Sequence, residues 1–218
     1  MLKIRIRLLI ILTLIATQTT AEELHCKGVW SSTETALYRQ DGTSRTIHSK
    51  DNSISIEPSQ NGIAISQSNG DSSTTPITYS PPLAQTIWNN AGNGFAINSS
   101  EGGLVGTWST EIYVKYAKGK LINLSINDVI QPYLNSFQKC DPPELANYAA
   151  IGWSADDRVV LLIIESPPHS SCRNMGEIMG VALDTSANQV IQILPQQKLK
   201  KKWREKLGQR INEDCQKK

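Results

Sequence analysis

The sequence predicts a mainly β protein made of antiparallel hairpins, with one short internal helix and a basic amphipathic helix near the C-terminal end. Short apolar stretches alternate with clusters of Gly, Asn, Ser, Asp and Pro from residue 29 to about residue 124. Apolar residues recur at helical spacing in two segments, which begin near residues 127 and 196. With 39% hydrophobic and 19% charged residues, the composition excludes a disordered chain, and the scarcity of long apolar runs excludes a polytopic membrane protein.

The first 21 residues have the pattern of a secretory signal peptide. Lys3, Arg5 and Arg7 form a charged start, residues 8–16 are apolar, and residues 19–21 are small enough for cleavage. The apolar run is shorter than the roughly 20 residues that a transmembrane helix needs. We therefore expect an exported protein, periplasmic or secreted, without a transmembrane anchor after cleavage, and a retained anchor is the alternative.

The remaining chain divides into a β domain, residues 22–197, and a basic C-terminal tail, residues 198–218. The β domain holds 10 basic and 17 acidic residues, a net charge of −7, whereas the tail holds 9 and 3, a net charge of +6. This asymmetry predicts either docking of the tail on the body or a separate surface for an anionic partner. Because the body is acidic and the protein is expected to be exported, nucleic acid is not an expected partner.

Period-two alternation predicts two hairpins in the first half of the β domain. Segments 53–56 and 63–65 alternate on either side of Asn61-Gly62, a pair that tolerates the positive φ angles of a tight hairpin turn. Residues 112–116 alternate in the same way, and Lys118-Gly119-Lys120 turns the chain into residues 121–124.

A weak internal repeat relates three turns, in segments 56–65, 87–97 and 151–162. The last copy contains Trp153, Ser154, Asp156 and Arg158 before a β-branched run. This Trp-Ser-x-Asp-x-Arg turn resembles the inner hairpin of TolB-like or WD-type propeller blades. A second hairpin follows in the last two units, so the resemblance implies three blade-like units, arranged as a partial propeller or a sandwich.

The internal helix is predicted to start at Asn127-Asp128 and to end before the Cys140-Asp141-Pro142-Pro143 segment. A second helix is predicted over residues 196–210. Its apolar residues are spaced by four: Leu199, Trp203, Leu207 and Ile211. Three alternatives follow for this basic helix, namely docking on the body, contact with anionic lipid, and binding in a partner groove; its narrow apolar stripe favours docking.

Four cysteines remain after cleavage, and an even number in an oxidising compartment favours two disulfides. We prefer Cys140 with Cys172, which flank one structural unit, and Cys26 with Cys215, which would tie the two ends of the domain. The other two pairings stay open. The spacing contains no Cys-x-x-Cys pair, so a redox site or a zinc site is not expected.

Catalytic signatures are scarce, since the sequence lacks a Gly-x-Ser-x-Gly elbow, a His-Glu-x-x-His pair and a phosphate-binding loop. The best candidates are Glu165, His169, Ser170 and Ser171, which we interpret as an ordinary polar loop because adjacent residues rarely achieve catalytic geometry. The Asp156-Asp157 pair is interpreted as a hairpin turn rather than a calcium site. No catalytic residue, metal or cofactor is therefore predicted.

Two loops are predicted to bind another protein: a flexible, glycine-rich loop after residue 98 and a stiff loop after Pro167. Trp108 is expected to act as an anchor beside the first loop. The predicted binding residues are Ser100, Gly102, Gly103, Leu104, Trp108, Pro168, His169 and Ser170.

The sequence therefore predicts an exported protein-binding module. In general build it resembles periplasmic immunity proteins that neutralise type VI secretion effectors. That resemblance implies an inhibitor whose loops enter the cleft of a hydrolase that degrades the cell envelope. The alternatives are a secreted hydrolase that uses His169, and a cell-wall or carbohydrate-binding module with Trp108 and Tyr113 exposed as a stacking platform.

Overall fold

The computed structural model describes residues 29–39, 41–60, 62–68, 70, 72–74, 83–103, 106–116, 119–168 and 170–212. The expected signal peptide and the residues Cys26, Leu104, His169 and Cys215 lie outside the described residues. The prediction of a mainly β, antiparallel protein is confirmed, with three sheets and three short α-helices in the described part. None of these helices is long and apolar enough to cross a membrane.

The strands form three antiparallel sheets that follow one another along the chain. Sheet 1 contains β2 (Ile47–His48), β3 (Ile54–Ser59), β4 (Gly62–Gln67) and β5 (Ser72–Thr74). Sheet 2 has the order β1 (Thr35–Tyr38), β6 (Leu83–Trp88), β7 (Gly94–Ser100), β8 (Trp108–Lys115) and β9 (Leu121–Leu124). Sheet 3 contains β10 (Asn147–Trp153), β11 (Val159–Glu165), β12 (Ile178–Asp184) and β13 (Gln189–Pro195). Apart from β1, each sheet is an up-and-down meander of four consecutive strands, which matches the expected three units.

Sheet 2 is the middle layer and is buried on both faces. Phe95 and Ile97 point to one side and pack with the apolar face of sheet 1. Ala96 and Ile112 point to the other side and pack with sheet 3. Successive side chains of a strand point to opposite faces, so a strand between two other layers reads as a continuous apolar run rather than as an alternating one.

The internal helix α1 (Asn127–Phe137) begins where the sequence predicts it. Its buried residues Ile130 and Leu134 belong to the core between sheets 2 and 3. The helix therefore covers the edge of this core before the chain enters β10.

The tail begins as α2 (Gln196–Lys202), continues in a 3-10 turn (Arg204–Lys206) and ends in α3 (Gln209–Asn212). All four apolar residues spaced by four are buried against the outer face of sheet 3, so the described part of the tail docks on the body. Burial of side chains of this size stabilises the fold by about 1.5–3 kcal/mol each.

The prediction of one continuous tail helix over residues 196–210 is wrong, because the α-helix ends at Lys202 and residues 206–210 pair with the backbone of residues 29–32. The Gly208 N–H donates to the Trp30 carbonyl at 2.7 Å, and the Arg210 N–H donates to the Val29 carbonyl at 3.0 Å. A Cβ at Gly208 would collide with the backbone of Val29 and Trp30. After the 3-10 turn, the backbone of the tail therefore pairs with residues 29–32, which precede β1.

One turn geometry occurs three times, in residues 49–54, 89–94 and 154–159. In each turn, an oxygen of the first side chain accepts the N–H of the sixth residue, at 3.0, 3.1 and 3.0 Å. The fourth residue has a positive φ, of 56°, 72° and 59° at Asn52, Gly92 and Asp157. In sheet 1 this turn therefore joins β2 to β3. The internal repeat seen in the sequence placed the first turn one hairpin later, at Asn61-Gly62.

These turns lie at one end of the sheet stack, and two of them are in contact. The Asp157 carboxylate accepts N–H bonds from Asn90 and Ala91, both at 2.8 Å. We call this the turn end of the molecule, and the opposite end, which carries the longer connections of sheets 2 and 3, the loop end.

Candidate binding site at the loop end

A buried hydrogen-bond chain brings the two predicted binding loops to the same end of the molecule. The Trp108 N–H, at the start of β8, donates to Asn147 Oδ1 at 2.9 Å. Asn147 Nδ2, at the start of β10, donates to Glu165 Oε2 at 2.9 Å. Glu165 is the last residue of β11. The loop after β7 and the loop after β11 therefore leave neighbouring points of sheets 2 and 3.

Trp108 is not an exposed anchor, which corrects the prediction from sequence. Its exposed fraction is 0%, and its ring packs edge-on against Trp30 with centroids 5.9 Å apart. Tyr113 is 4% exposed and stacks on Phe95 on the opposite face of the sheet. Because sheet 2 is covered on both faces at these two positions, neither ring reaches solvent. The carbohydrate-binding alternative thereby loses its stacking platform.

The glycine-rich loop has a tight neck. Ser100 is buried, and its hydroxyl donates to the Gly103 carbonyl at 2.5 Å. A Cβ at Gly106 would collide with the backbone of Gly102, so the two loop arms cross at a distance that only glycine permits. Gly102 is exposed and Gly103 is half-buried. Of the predicted residues described in this loop, these two are accessible to a partner and Ser100 is not.

The predicted Cys140–Cys172 disulfide is confirmed. It ties the segment after α1, residues 138–146, to the loop between β11 and β12, residues 166–177, and we call the two segments together the disulfide loops. Pro168 and Ser170 are half-buried, and the Ser170 hydroxyl donates to the Pro167 carbonyl at 2.6 Å. The Ser170 hydroxyl is therefore used within its own loop.

Several hydrogen bonds between the disulfide loops fix their relative position. The Ser171 N–H donates to Glu144 Oε1 at 2.5 Å, and the Ser171 hydroxyl donates to the Pro142 carbonyl at 3.1 Å. Asn174 accepts the Lys139 N–H at 3.1 Å and donates to the Phe137 carbonyl at 2.9 Å. Hydrogen bonds from the side chain and the N–H of Ser171 to the Glu144 carboxylate hold the pKa of Glu144 below its usual value.

Two apolar side chains project from this fixed frame into solvent. Leu145 is 73% exposed and Met175 is 53% exposed. Leu145 follows Glu144, and the Met175 N–H donates to the carbonyl of Cys172. Sequence reasoning missed both residues, because an isolated apolar residue in a loop has no periodicity. Their proximity to the predicted disulfide in sequence was the one available indication.

A buried ion pair lies behind the loop end. Arg210 Nη2 and Glu165 Oε2 are 2.6 Å apart, and the two side chains are 8% and 4% exposed. The guanidinium also lies over the Trp30 ring, 4.4 Å from its centroid. Removal of one partner of such a pair leaves a buried charge uncompensated, at a cost of about 3–5 kcal/mol. The ion pair therefore holds the tail, through Arg210, against the end of β11 from which one of the predicted binding loops leaves.

The described carboxylates near the two candidate catalytic segments have structural partners. Glu165 is engaged by Asn147 and Arg210. Asp156 closes its own turn, and hydrogen bonds from the Ser154 hydroxyl and the Arg158 N–H lower its pKa. Within the described ranges, no group of three or more His, Cys, Asp or Glu residues is arranged to hold a metal ion.

No protein-family model matches the chain, and no curated protein matches it either. Similarity therefore assigns no activity, and the geometry of the loop end carries the functional interpretation.

Proposed function

We propose that the protein is an exported protein-binding module whose loop end docks against another protein. The observation that carries this proposal is the exposure of Leu145 and Met175 on a frame fixed by a disulfide and by hydrogen bonds. Exposed apolar side chains on such a frame have the character of the anchor residues that contribute most of the binding energy in protein interfaces. Partners bury these anchors and leave the surrounding polar rim hydrated.

The frame favours binding because its order is established before the partner arrives. Association costs the ordering entropy of every loop and side chain that becomes fixed in the interface. The Cys140–Cys172 bridge and the bonds of Ser171 and Asn174 already fix the disulfide loops. Gly102 and Gly103, at the same end, add an adaptable contact.

In its sharpest form, the proposal is that the protein is a periplasmic inhibitor. The N-terminal pattern of a signal peptide and the disulfide support an oxidising compartment. The partner is then an enzyme that degrades the cell envelope, and the disulfide loops occlude its active cleft. Inhibition by occlusion requires no catalytic group on this chain.

The test is a set of charge substitutions in the full mature protein. Leu145→Asp and Met175→Asp place a charge in the proposed interface, whereas Ile191→Asp is a matched control. Ile191 is as exposed as Met175, at 53%, but lies on β13 toward the turn end. A partner captured from periplasmic extract is identified by mass spectrometry, purified, and titrated calorimetrically with each variant.

We expect each loop-end substitution to weaken binding by about tenfold to a hundredfold, because a buried apolar side chain contributes about 1.5–3 kcal/mol. The Ile191 variant should bind like the wild type. Equal effects of all three substitutions would contradict the proposal. Turnover of a substrate by the isolated protein would contradict it as well and would favour the hydrolase alternative.

A further inference from the structure

A second, separate site is indicated by a groove between residues 29–45 and the tail. The groove is open to solvent and has a volume of about 610 Å³, in the range of small-molecule sites. One wall comes from residues 29–45 and the other from residues 207–212. The lining side chains include one carboxyl group, two guanidinium groups and three apolar groups: Glu34, Arg39, Arg45, Val29, Ala36 and Leu207.

Glu34 is the carboxyl group of this groove. Its Oε2 accepts the N–H groups of Trp30 and Ser31 at 3.2 and 3.3 Å. Its Oε1 forms no hydrogen bond within the described part of the chain, so one oxygen is left for a ligand in the groove. Burial raises the pKa of Glu34 to about 8, although the two backbone hydrogen bonds act in the opposite direction. Glu34 is therefore largely protonated at neutral pH and able to donate an O–H bond.

Two guanidinium groups supply positive charge to the same groove. Arg45 Nε donates to the Ala36 carbonyl at 2.9 Å, which orients the group and leaves its terminal nitrogens in solvent. Arg39 is exposed, and the nearby Asp41 carboxylate is hydrogen-bonded to Thr43 at 2.9 and 2.6 Å. Neither guanidinium forms an ion pair with the described carboxylates.

The walls of the groove also offer apolar surface. Val29 lines it from one wall and Leu207 from the other, and Ala36 also lines it. A groove with guanidinium groups and an apolar wall suits a ligand that has one anionic group and an apolar body. A bare ion would leave most of the volume to water.

We propose that the groove binds a small organic acid, with its carboxylate held by Arg39 and Arg45, its apolar body against Val29 and Leu207, and the Glu34 carboxyl as a hydrogen-bond donor. Guanidinium groups bind carboxylates through paired N–H bonds, which gives both charge and geometry. This site is independent of the loop end and does not rest on the proposed function.

The protonation of Glu34 controls the site because an ionised Glu34 repels the ligand carboxylate. The charged groups that line the groove together with Glu34 are Arg39 and Arg45, whereas Gln209 and Asn212 of the tail are neutral. The charged side chains of the described tail do not line the groove, and Arg210 is paired with Glu165. Binding should therefore weaken as the pH rises through the pKa of Glu34.

The test is calorimetric titration of the mature protein with hexanoate, acetate, hexanamide and inorganic phosphate. We expect hexanoate to bind about tenfold or more tightly than acetate, because its methylene groups are buried in the groove. Hexanamide, which has the same body without the charge, should show no binding. Equal binding of hexanamide and hexanoate, no binding of hexanoate, or preference for phosphate over hexanoate would overturn the proposal.

Three variants locate the binding site within the molecule. Arg39→Gln should weaken hexanoate binding by about tenfold, whereas Arg173→Gln, an exposed arginine of the disulfide loops, should leave it unchanged. From about pH 7 to about pH 9 the wild type should lose about tenfold in affinity, and Glu34→Gln should remain constant. Equal effects of the two arginine substitutions, or an unchanged pH profile in Glu34→Gln, would refute the assignment. Thermal unfolding of each variant verifies that it is folded.

Discussion

Replacement of Glu34 by glutamine tests the burial of this carboxyl group through the pH dependence of stability. Burial raises the pKa of Glu34 from 4.5 to about 8 in the folded protein. Between these values the folded state keeps a proton that the unfolded chain has released. The free energy of unfolding is therefore highest below pH 4.5 and falls as the pH rises towards 8.

The size of this fall follows from the pKa. At about 1.4 kcal/mol for each tenfold change in proton affinity, a pKa of about 8 corresponds to an upper limit of roughly 5 kcal/mol. Water reaches Glu34 from the open side of the groove and screens part of the penalty, so we expect a loss of about 3 kcal/mol between about pH 5 and pH 8. Hydrogen bonds from Ser49 and Ser53 lower the pKa of Asp51, so that group titrates below this window.

The assay is urea unfolding of the wild type and of Glu34→Gln at several pH values from about 5 to about 8. The variant should lose the fall in stability, because glutamine does not titrate, and should be the more stable protein at pH 8. Glu57→Gln, a change at an exposed position of β3, should retain the wild-type profile. Parallel profiles of the wild type and Glu34→Gln would refute the burial argument.

Three further predictions concern stability and covalent structure. Arg210→Met should lower the free energy of unfolding by about 3–5 kcal/mol because Glu165 keeps its buried charge, and urea titration showing a loss below about 1 kcal/mol would contradict this expectation. Gly180→Ala should cost about 1–3 kcal/mol because a Cβ there collides with the buried tail side chains, and wild-type thermal stability would count against the tail packing. Alkylation of the unreduced mature protein followed by mass spectrometry should find no free thiol, because four cysteines in an oxidising compartment favour two disulfides; one or more alkylated cysteines would contradict two disulfides.

The sequence was informative wherever one periodicity extended over a whole element. Alternation predicted the hairpins of β3 with β4 and of β8 with β9, and a spacing of four predicted the buried side of the tail. The break of the tail helix was not predictable in this way. It depends on the approach of the Trp30 backbone to Gly208, a contact between residues far apart in the chain.

The exposure of single residues depended on the layer arrangement, which periodicity does not contain. Trp108 was predicted to be exposed because it follows a glycine-rich loop, but sheet 2 is covered on both faces at this position. Leu145 and Met175 had no pattern to mark them, and their importance appears only when the disulfide loops are seen as one frame. The Glu34 groove was equally invisible, because its two walls come from opposite ends of the described chain.

The position of the tail determines how far the array of sheets extends. Terminal units of repeat proteins need a capping surface, since an uncovered apolar face invites further stacking. Leu199 and Trp203 cover the outer face of sheet 3, while Ser55 and Glu57 present polar groups on the outer side of sheet 1. The outer face of sheet 3, the last of the three described sheets, is consequently closed, and a further sheet would have to displace the tail before it could stack there.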